Sequence, residues 1–434
     1  MSAALALVLL LQQAPAQQAP AQQGPAAVAI RAGTLIDGRG GPPMRGAVIV
    51  IRGERIEAVG TDVRVPQGAR VIDLSRATVL PGFIDAHVHL AGRPVGEGDW
   101  LNSAVREGAA DDALWGARNA RLTLLAGFTT VRNVGASAFA DIALRNAINA
   151  GRVPGPRMVA AGNAIGVTGG HCDANGFVPG LFGHEPGPLE GIADGPDQVR
   201  QAVRMQVKYG ADVIKICATG GVLSEGDAVG AQQYSEEEMR AVVETARLLG
   251  RRVAAHAHAT EGIIAASRAG VTSIEHGSFM TEESARVMVE HGTWLVPTLM
   301  AGEAVGGPAA QQRLPAWAYG KGRQAWEAMQ RGFPIAVRAG VRIAFGTDAG
   351  VFPHGTNAHE FELLVSIGGL TPMQAIQAGT LSAATLLGLE HDVGTVEAGK
   401  YADLVAVEGD PLQNIAVLRS PVFVMKGGEV YLSR

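Results

Sequence analysis

Residues 251–277 read RRVAAHAHATEGIIAASRAGVTSIEHG. The run 252–257 is short and apolar, 261–269 carries apolar residues at helical spacing, and 271–276 is a second short apolar run. Each of the two strand-like runs gives way to histidine: His256 and His258 after the first, His276 after the second. Strand, helix and strand in that order make a βαβ unit, which requires parallel strands.

The middle of the chain repeats this unit. Strand-like runs stand at 78–84, 128–134, 157–161, 212–218, 252–257, 271–276, 294–298 and 342–347. Helical runs stand at 111–125, 198–209, 235–249, 261–269, 282–291 and 324–339, and a last helix at 372–387 starts with Thr371 as N-cap and Pro372 in its first turn. Eight strands alternating with helices over about 310 residues predict an α/β chain with a (β/α)8 TIM barrel. The competing doubly wound sheet is disfavoured, because no G-x-G-x-x-G follows any of these strands.

Both ends read differently. Between 27 and 78, and again at 402–407, 422–426 and 429–432, short alternating runs are broken by turn residues. The expected organisation is a small β-sandwich domain formed by both termini (27–79 and 390–434) around a barrel domain (80–389). Residues 1–26 read as a signal peptide and polar linker. ALALVLLL at 4–11 is too short to span a bilayer, which takes about 20 residues, but suits the apolar part of a secretory signal. Ala14-Pro15-Ala16 or Ala19-Pro20-Ala21 would precede the cut, although no Lys or Arg precedes the run. The expected location is secreted or periplasmic, with no membrane span.

Composition narrows the function classes. The chain has 434 residues, 47% of them hydrophobic and 18% charged, which excludes a disordered chain. Its net charge of −5 argues against general nucleic-acid binding, which needs clustered Lys and Arg. Two cysteines, Cys172 and Cys217, make neither a disulfide scaffold nor a thiolate zinc cage, and are expected as plain buried thiols. Nucleic acid and membrane are therefore not expected as partners.

In a barrel, chemistry gathers at the carboxyl ends of the strands. There the sequence places His87 and His89, Lys215, His256 and His258, His276, and Asp348. His87 and His89 are two apart on an extended segment, so both imidazoles share a face and suit a zinc-like ion. Lys215, in ADVIKICATGG, lies on a strand covered on both faces, where an ammonium is costly and a neutral amine is favoured. Such an amine forms a Schiff base, or captures CO2 as a carbamate whose oxygens bridge two metals; the Schiff base leaves the histidines unexplained. Asp348, in IAFGTDAG, ends the last strand beside the first and can bind the same metal as His87 and His89 or take a proton.

These residues sit in motifs that resemble the amidohydrolase superfamily, in particular its imidazolonepropionase-like and Xaa-Pro dipeptidase (metallo-carboxypeptidase) branch. The motifs are LPGFIDAHVHL (80–90), AGFTTVRNVG (126–135), TGGH (168–171), DVIKI (212–216), GGVLS (220–224), AAHAH (254–258), SIEHG (273–277), FGTDAG (345–350) and EAGKYADLVAVEGDP (397–411). The resemblance implies two divalent metal ions, most readily Zn2+. His87, His89 and Asp348 would hold one, His256 and His276 the other, and Lys215 would bridge them as its carbamate. His258 is left to polarise the substrate or support a ligand. Imidazolonepropionases are similar in outline but use one metal and lack this lysine, so Lys215 argues against that activity.

The branch instead implies a small-molecule or short-peptide substrate, with cleavage of the amide before a C-terminal amino acid in dipeptides or N-acyl amino acids. It includes enzymes that hydrolyse ochratoxin A to ochratoxin alpha and phenylalanine. The alternative is hydrolysis of a cyclic amide, lactone or phosphotriester, and a barrel kept only as a binding module is disfavoured because all six ligand positions are filled. Asp348 is expected to be the base and then the acid, with His171 or His258 polarising the carbonyl. Substrate-contact candidates are His171 on the long 162–196 connection, Tyr234, Arg132 and His258; Arg132 could equally neutralise a buried acid. Residues His354 to Glu360 are expected to fix the rim of the site. Asn133 stands where relatives often have Asp, outside the metal set. Relatives are often homo-oligomers, and the same is expected here.

Overall fold

A computed structural model of the chain describes residues 27–98, 100–181 and 183–434. The expected signal segment lies outside the described residues.

The middle of the chain holds eight parallel strands, seven of them at the expected positions. Phe83–Val88, Phe128–Asn133 and Arg157–Ala160 form one parallel sheet. Val213–Cys217, Arg252–Ala257, Ser273–His276, Trp294–Val296 and Arg342–Ile343 form a second, each strand beside its sequence neighbour. Backbone hydrogen bonds join the two sheets along both edges. On one side Ala86 N donates to Phe345 O (2.9 Å) and Asp348 N to His87 O (2.7 Å). On the other, Asp212 N donates to Ala160 O and Ile165 N to Lys215 O, both at 2.8 Å.

The helices start where the sequence provides caps. Ser235 and Glu238 close a capping box at the head of Glu236–Leu248, and Thr281 with Ser284 does the same for Glu282–His291. The expected helix at 372–387 is three pieces: Pro372–Gln377, a π-helical turn Ala378–Ser382, and Ala383–Leu387. The cause is a competing donor. Ala378 O accepts from Phe345 N (3.0 Å), which draws one carbonyl out of the helical ladder and pins the helix to the last strand.

The first strand also differs from expectation. Arg70–Pro81 belongs to the terminal sheet, and the barrel strand begins only at Phe83. Gly82 is the joint: its N–H donates to Asp403 O (2.8 Å), and a Cβ there would collide with Thr129 Oγ1. The chain thus passes from one sheet to the other through a single residue.

Both termini build one eight-stranded sheet. Its order is Glu429–Ser433, Pro421–Lys426, Leu404–Glu408, Arg70–Pro81, Val28–Leu35, Val48–Arg52, Arg55–Gly60, with Met44–Arg45 pairing with Val28–Leu35. Ile30, Ile49, Val79, Leu404, Phe423 and Met425 fill its core. The larger core lies around the parallel strands, where Phe361 packs edge-on against Phe83 (centroids 5.2 Å) and tilts against Phe345 (4.4 Å). Full burial of each such ring stabilises the fold by about 1.5–3 kcal/mol. No described helix is long and apolar enough to cross a membrane.

Candidate active site

The strand ends bring the seven residues together in one cavity of about 340 Å3. His87, His89, Lys215, His256, His258, His276 and Asp348 all line it, as does His171. Two sets of buried donors could each hold a metal ion: His256, His258 and His276, and His87, His276 and Asp348. Within each set the ligand atoms lie within 4.8 Å of one another, and His276 belongs to both. His89 completes the second group, with Nε2 3.3 Å from Asp348 Oδ1; His87 Nε2 is 3.4 Å from the same oxygen.

Backbone strain marks the same positions. Among the described residues, His276 (φ 72°), Thr298 (φ 50°) and Asp348 (φ 59°) are three of five non-glycines in the left-handed region. Each such residue costs on the order of 1–3 kcal/mol, and such strain clusters where side chains must be aimed.

Every imidazole has one nitrogen engaged, which leaves the other for the cavity. His87 Nδ1 meets Glu275 Oε2 (2.8 Å), His89 Nδ1 donates to Gly135 O (3.1 Å), and His258 Nδ1 meets Ser278 Oγ (2.6 Å). His276 Nδ1 meets Thr298 Oγ1 (2.7 Å). His256 is reversed: Nε2 donates to Gly220 O (3.3 Å), so Nδ1 is its open atom. Outer partners of this kind fix tautomer and orientation in metal sites.

The electrostatics keep the donors in their ligand states. Burial holds His256 and His276 well below the usual imidazole range and pushes His258 down to about 3, so all three are neutral. Burial opposes the charge on Asp348, but His87 and His89 outweigh it and hold the carboxyl well below its ordinary value. Burial also lowers Lys215 to about 8, against the pull of Glu275 and Asp348. Neutral imidazoles, a carboxylate and an amine poised near neutrality are a donor set that fits divalent cations.

The amidohydrolase family model matches residues 78–431. Ochratoxinase from Aspergillus niger is 35% identical over 433 aligned residues, spanning 93% of this chain and 86% of its own length. The crystal structure of a Xaa-Pro dipeptidase with methionine in its active site superposes at a TM-score of 0.88 with 40% identity, covering 94% of this chain and all of that one. Imidazolonepropionase from Pseudomonas fluorescens is 27% identical over 402 residues, 85% of this chain and 89% of its own.

The chain belongs to the amidohydrolase family. It is a hydrolase, and its fold is a TIM-barrel-type domain with an additional domain.

Three expectations for this amidohydrolase need correction. Tyr234 does not line the cavity: it is buried, and its hydroxyl donates to Ala193 O (2.8 Å), tying down the connection that carries the TGGH motif. Arg132 is no substrate clamp either. It takes the other of its two expected roles and neutralises buried Glu275 (2.8 Å), with further bonds to Ala86 O and Ser273 Oγ. Cys172 and Cys217 are not free thiols but a disulfide with Cα atoms 6.0 Å apart. Cys217 N bonds Ile165 O (2.9 Å), and side-chain-free Gly166 lets Cys172 approach.

The segment after the last strand does fix the rim. His354 Nε2 donates to His89 O (3.1 Å), Asn357 Nδ2 to Asp85 Oδ2 (2.8 Å), and Glu360 accepts from Leu299 N and Met300 N. Asn133 accepts from Leu90 N (2.7 Å) and donates to Asp141, behind His89 rather than in the cavity.

Sequence reading missed Glu275 and Asp85. Asp85 accepts from His87 N, Thr347 N, Thr347 Oγ1 and Asn357 Nδ2, and so ties the first strand end to the last; burial raises it to about 6. The available signal was an acid inside an apolar strand, in FIDAHV and SIEH, immediately before a histidine that lines the cavity or the alanine preceding one.

Proposed function

We propose that this amidohydrolase is a binuclear zinc enzyme that cleaves the amide before a C-terminal amino acid in dipeptides or N-acyl amino acids. The observation that carries the reading is the pair of buried donor sets sharing His276 beside Lys215. His87, His89 and Asp348 would hold one ion, His256 and His276 the other, with Lys215 bridging as its carbamate. His258, packed parallel to His276 at 4.9 Å, would support a ligand of the second ion, join its ligands or polarise the substrate. Bound divalent cations supply Lewis acidity, which polarises a carbonyl and acidifies water.

The residues of the chain supply the rest. Asp348 Oδ1 lies 3.4 Å from His87 Nε2 and 3.3 Å from His89 Nε2, where the three would share an ion, and Oδ2 would accept the proton of the attacking water. As the new C–O bond forms and the C–N bond breaks, the same oxygen returns that proton to the leaving amine. His171 and His258 contact the substrate from the wall. Val95, Val222, Leu223, Val305, Met329 and Val351 make much of the remaining wall apolar, with Arg93 and Thr298 as polar exceptions, and this favours a large apolar side chain or aryl acyl group next to the bond. The Aspergillus niger ochratoxinase and the Xaa-Pro dipeptidase are relatives whose names match this reading, and ochratoxin A is included as a substrate, giving ochratoxin alpha and phenylalanine.

The finer architecture belongs to the same proposal: eight strands closed as a (β/α)8 barrel, with the terminal sheet folded as a β-sandwich domain. So do export as a secreted or periplasmic protein, which the disulfide favours, and a homo-oligomeric state.

The test is metal analysis of the purified protein and release of free amino acid from a panel of dipeptides, N-acyl amino acids and ochratoxin A. Two ions per chain with amino-acid release is the expected result. Turnover confined to lactones or cyclic amides would overturn the proposal in favour of the imidazolonepropionase-like alternative.

A further inference from the structure

We infer that Ser224, Asp227 and Lys321 form a positioning relay that fixes the ring orientation and tautomer of His171 in the substrate pocket. The inference rests on the hydrolase reading above for its effect on catalysis, but not for its geometry.

His171 Nδ1 lies 2.8 Å from Ser224 Oγ, and Ser224 Oγ lies 2.8 Å from Asp227 Oδ1. A hydroxyl has one proton, and beside a carboxylate that proton points at the carboxylate. Ser224 therefore donates to Asp227 and accepts from His171, which places a hydrogen on Nδ1 and leaves a lone pair on Nε2. The order of the three groups also separates this arrangement from a nucleophilic triad, in which the imidazole stands between hydroxyl and carboxylate. Here the serine stands in the middle with its proton turned away from the histidine.

Asp227 holds the backbone of His171 as well as its ring. Its Oδ2 accepts from Gly221 N (3.0 Å) and from Gln233 Nε2 (3.1 Å), while Gln233 Oε1 accepts from His171 N (3.0 Å). Lys321 balances the charge, with Nζ 2.7 Å from Asp227 Oδ1 and 2.7 Å from Ser224 O. It reaches in from the helix Ala316–Ala339, about a hundred residues away in sequence, and the pair is largely buried, with Asp227 only 6% exposed. The ring itself lies directly on the backbone of Gly221, where any Cβ would collide with it. On the far side the next residue, Cys172, is bonded to Cys217.

One consequence revises the role expected for His171. An imidazole with hydrogen on Nδ1 presents an acceptor at Nε2, so it receives an N–H of the substrate rather than donating to its carbonyl.

Zinc-loaded, full-length protein labelled with 15N-histidine gives the direct test. The His171 signal, identified by its loss in His171→Asn, should show Nδ1 protonated and Nε2 bare, and Ser224→Ala should move it toward mixed tautomers. An Nε2-protonated His171 in the native protein, or a signal unmoved by Ser224→Ala, would overturn the relay. This arm decides the relay even if no amide is turned over, a result that would sink only the hydrolase reading.

Kinetics give the second arm. Asp227→Asn and Lys321→Met should each lower kcat/KM by about 10- to 100-fold with bound zinc unchanged, and Lys321→Arg should restore most of the loss. In a His171→Asn background the same Asp227→Asn change should cost less than about twofold. An equal loss in both backgrounds would show that Asp227 acts elsewhere. Should Asp227→Asn fail to fold, Ser224→Ala carries the same cycle.

Discussion

The two sides of the cavity are held by different chemistry. On the side of the first and last strands, His87 is backed by the carboxylate of Glu275, which is itself paired with Arg132, and Asp85 stitches the two strand ends together. On the side of the fifth and sixth strands, His258 and His276 are backed by the neutral hydroxyls of Ser278 and Thr298, and His256 by a carbonyl. A carboxylate behind an imidazole makes it a stronger donor, whereas a hydroxyl mainly orients it. On the two-metal proposal, the contrast would make the ion beside Asp348 the more tightly held and the ion on the opposite side the looser, free to adjust as substrate binds.

The largest expected effect bears on Asp348 itself. Asp348→Asn should lower kcat by about a thousandfold or more while much of the bound metal remains. A fully active variant would remove the asymmetry by showing that proton transfer belongs to the other side. Next comes Glu275→Gln, which should weaken metal binding by about 10- to 100-fold in a chelator competition. It should also destabilise the fold by about 3 kcal/mol in thermal unfolding, because Arg132 is left buried without its counter-charge.

Ser278→Ala tests the opposite side and should weaken metal binding by only about two- to tenfold. Losses equal to those of Glu275→Gln would break the comparison.

The smallest effect is a pH dependence at the rim. Burial pushes Glu360 up to about 8 from its ordinary 4.5, outweighing the amide donors of Leu299 and Met300. Its folded form holds the proton more tightly than the unfolded chain, so its contribution to stability is full below 4.5 and is lost as pH rises through 8. Glu360→Gln should therefore gain on the native protein between pH 5 and 9, by up to about 1.4 kcal/mol per pH unit in denaturant unfolding. A gap that stays constant across this window would show that Glu360 ionises normally.

What could be read from the sequence follows from distance along the chain. His87 and His89 announce themselves within three residues, and Lys215 through its misplacement on an apolar strand. Glu275 stood two residues from Ser273 and one from His276, yet its partner Arg132 lies 143 positions away, so neither role could be assigned. Ser224, Asp227 and Lys321 were invisible for the same reason: a serine and an aspartate on a Gly-rich loop look solvated until a distant helix delivers the lysine. The disulfide was missed because counting cysteines rules out a scaffold but says nothing about a single bridge. Strand positions were legible from apolar runs; the break at Gly82 was not, since a continuous run can serve two sheets in succession.

That break shapes how the molecule can be altered. Because Pro81 and Phe83 belong to different sheets with one glycine between them, the strand carrying His87 is a direct extension of the terminal sheet rather than a tethered neighbour. Trimming either end of the gene to obtain a minimal catalytic core would pull on the very strand that aims the first histidine. An engineer transplanting the pocket must move the outer sheet along with it.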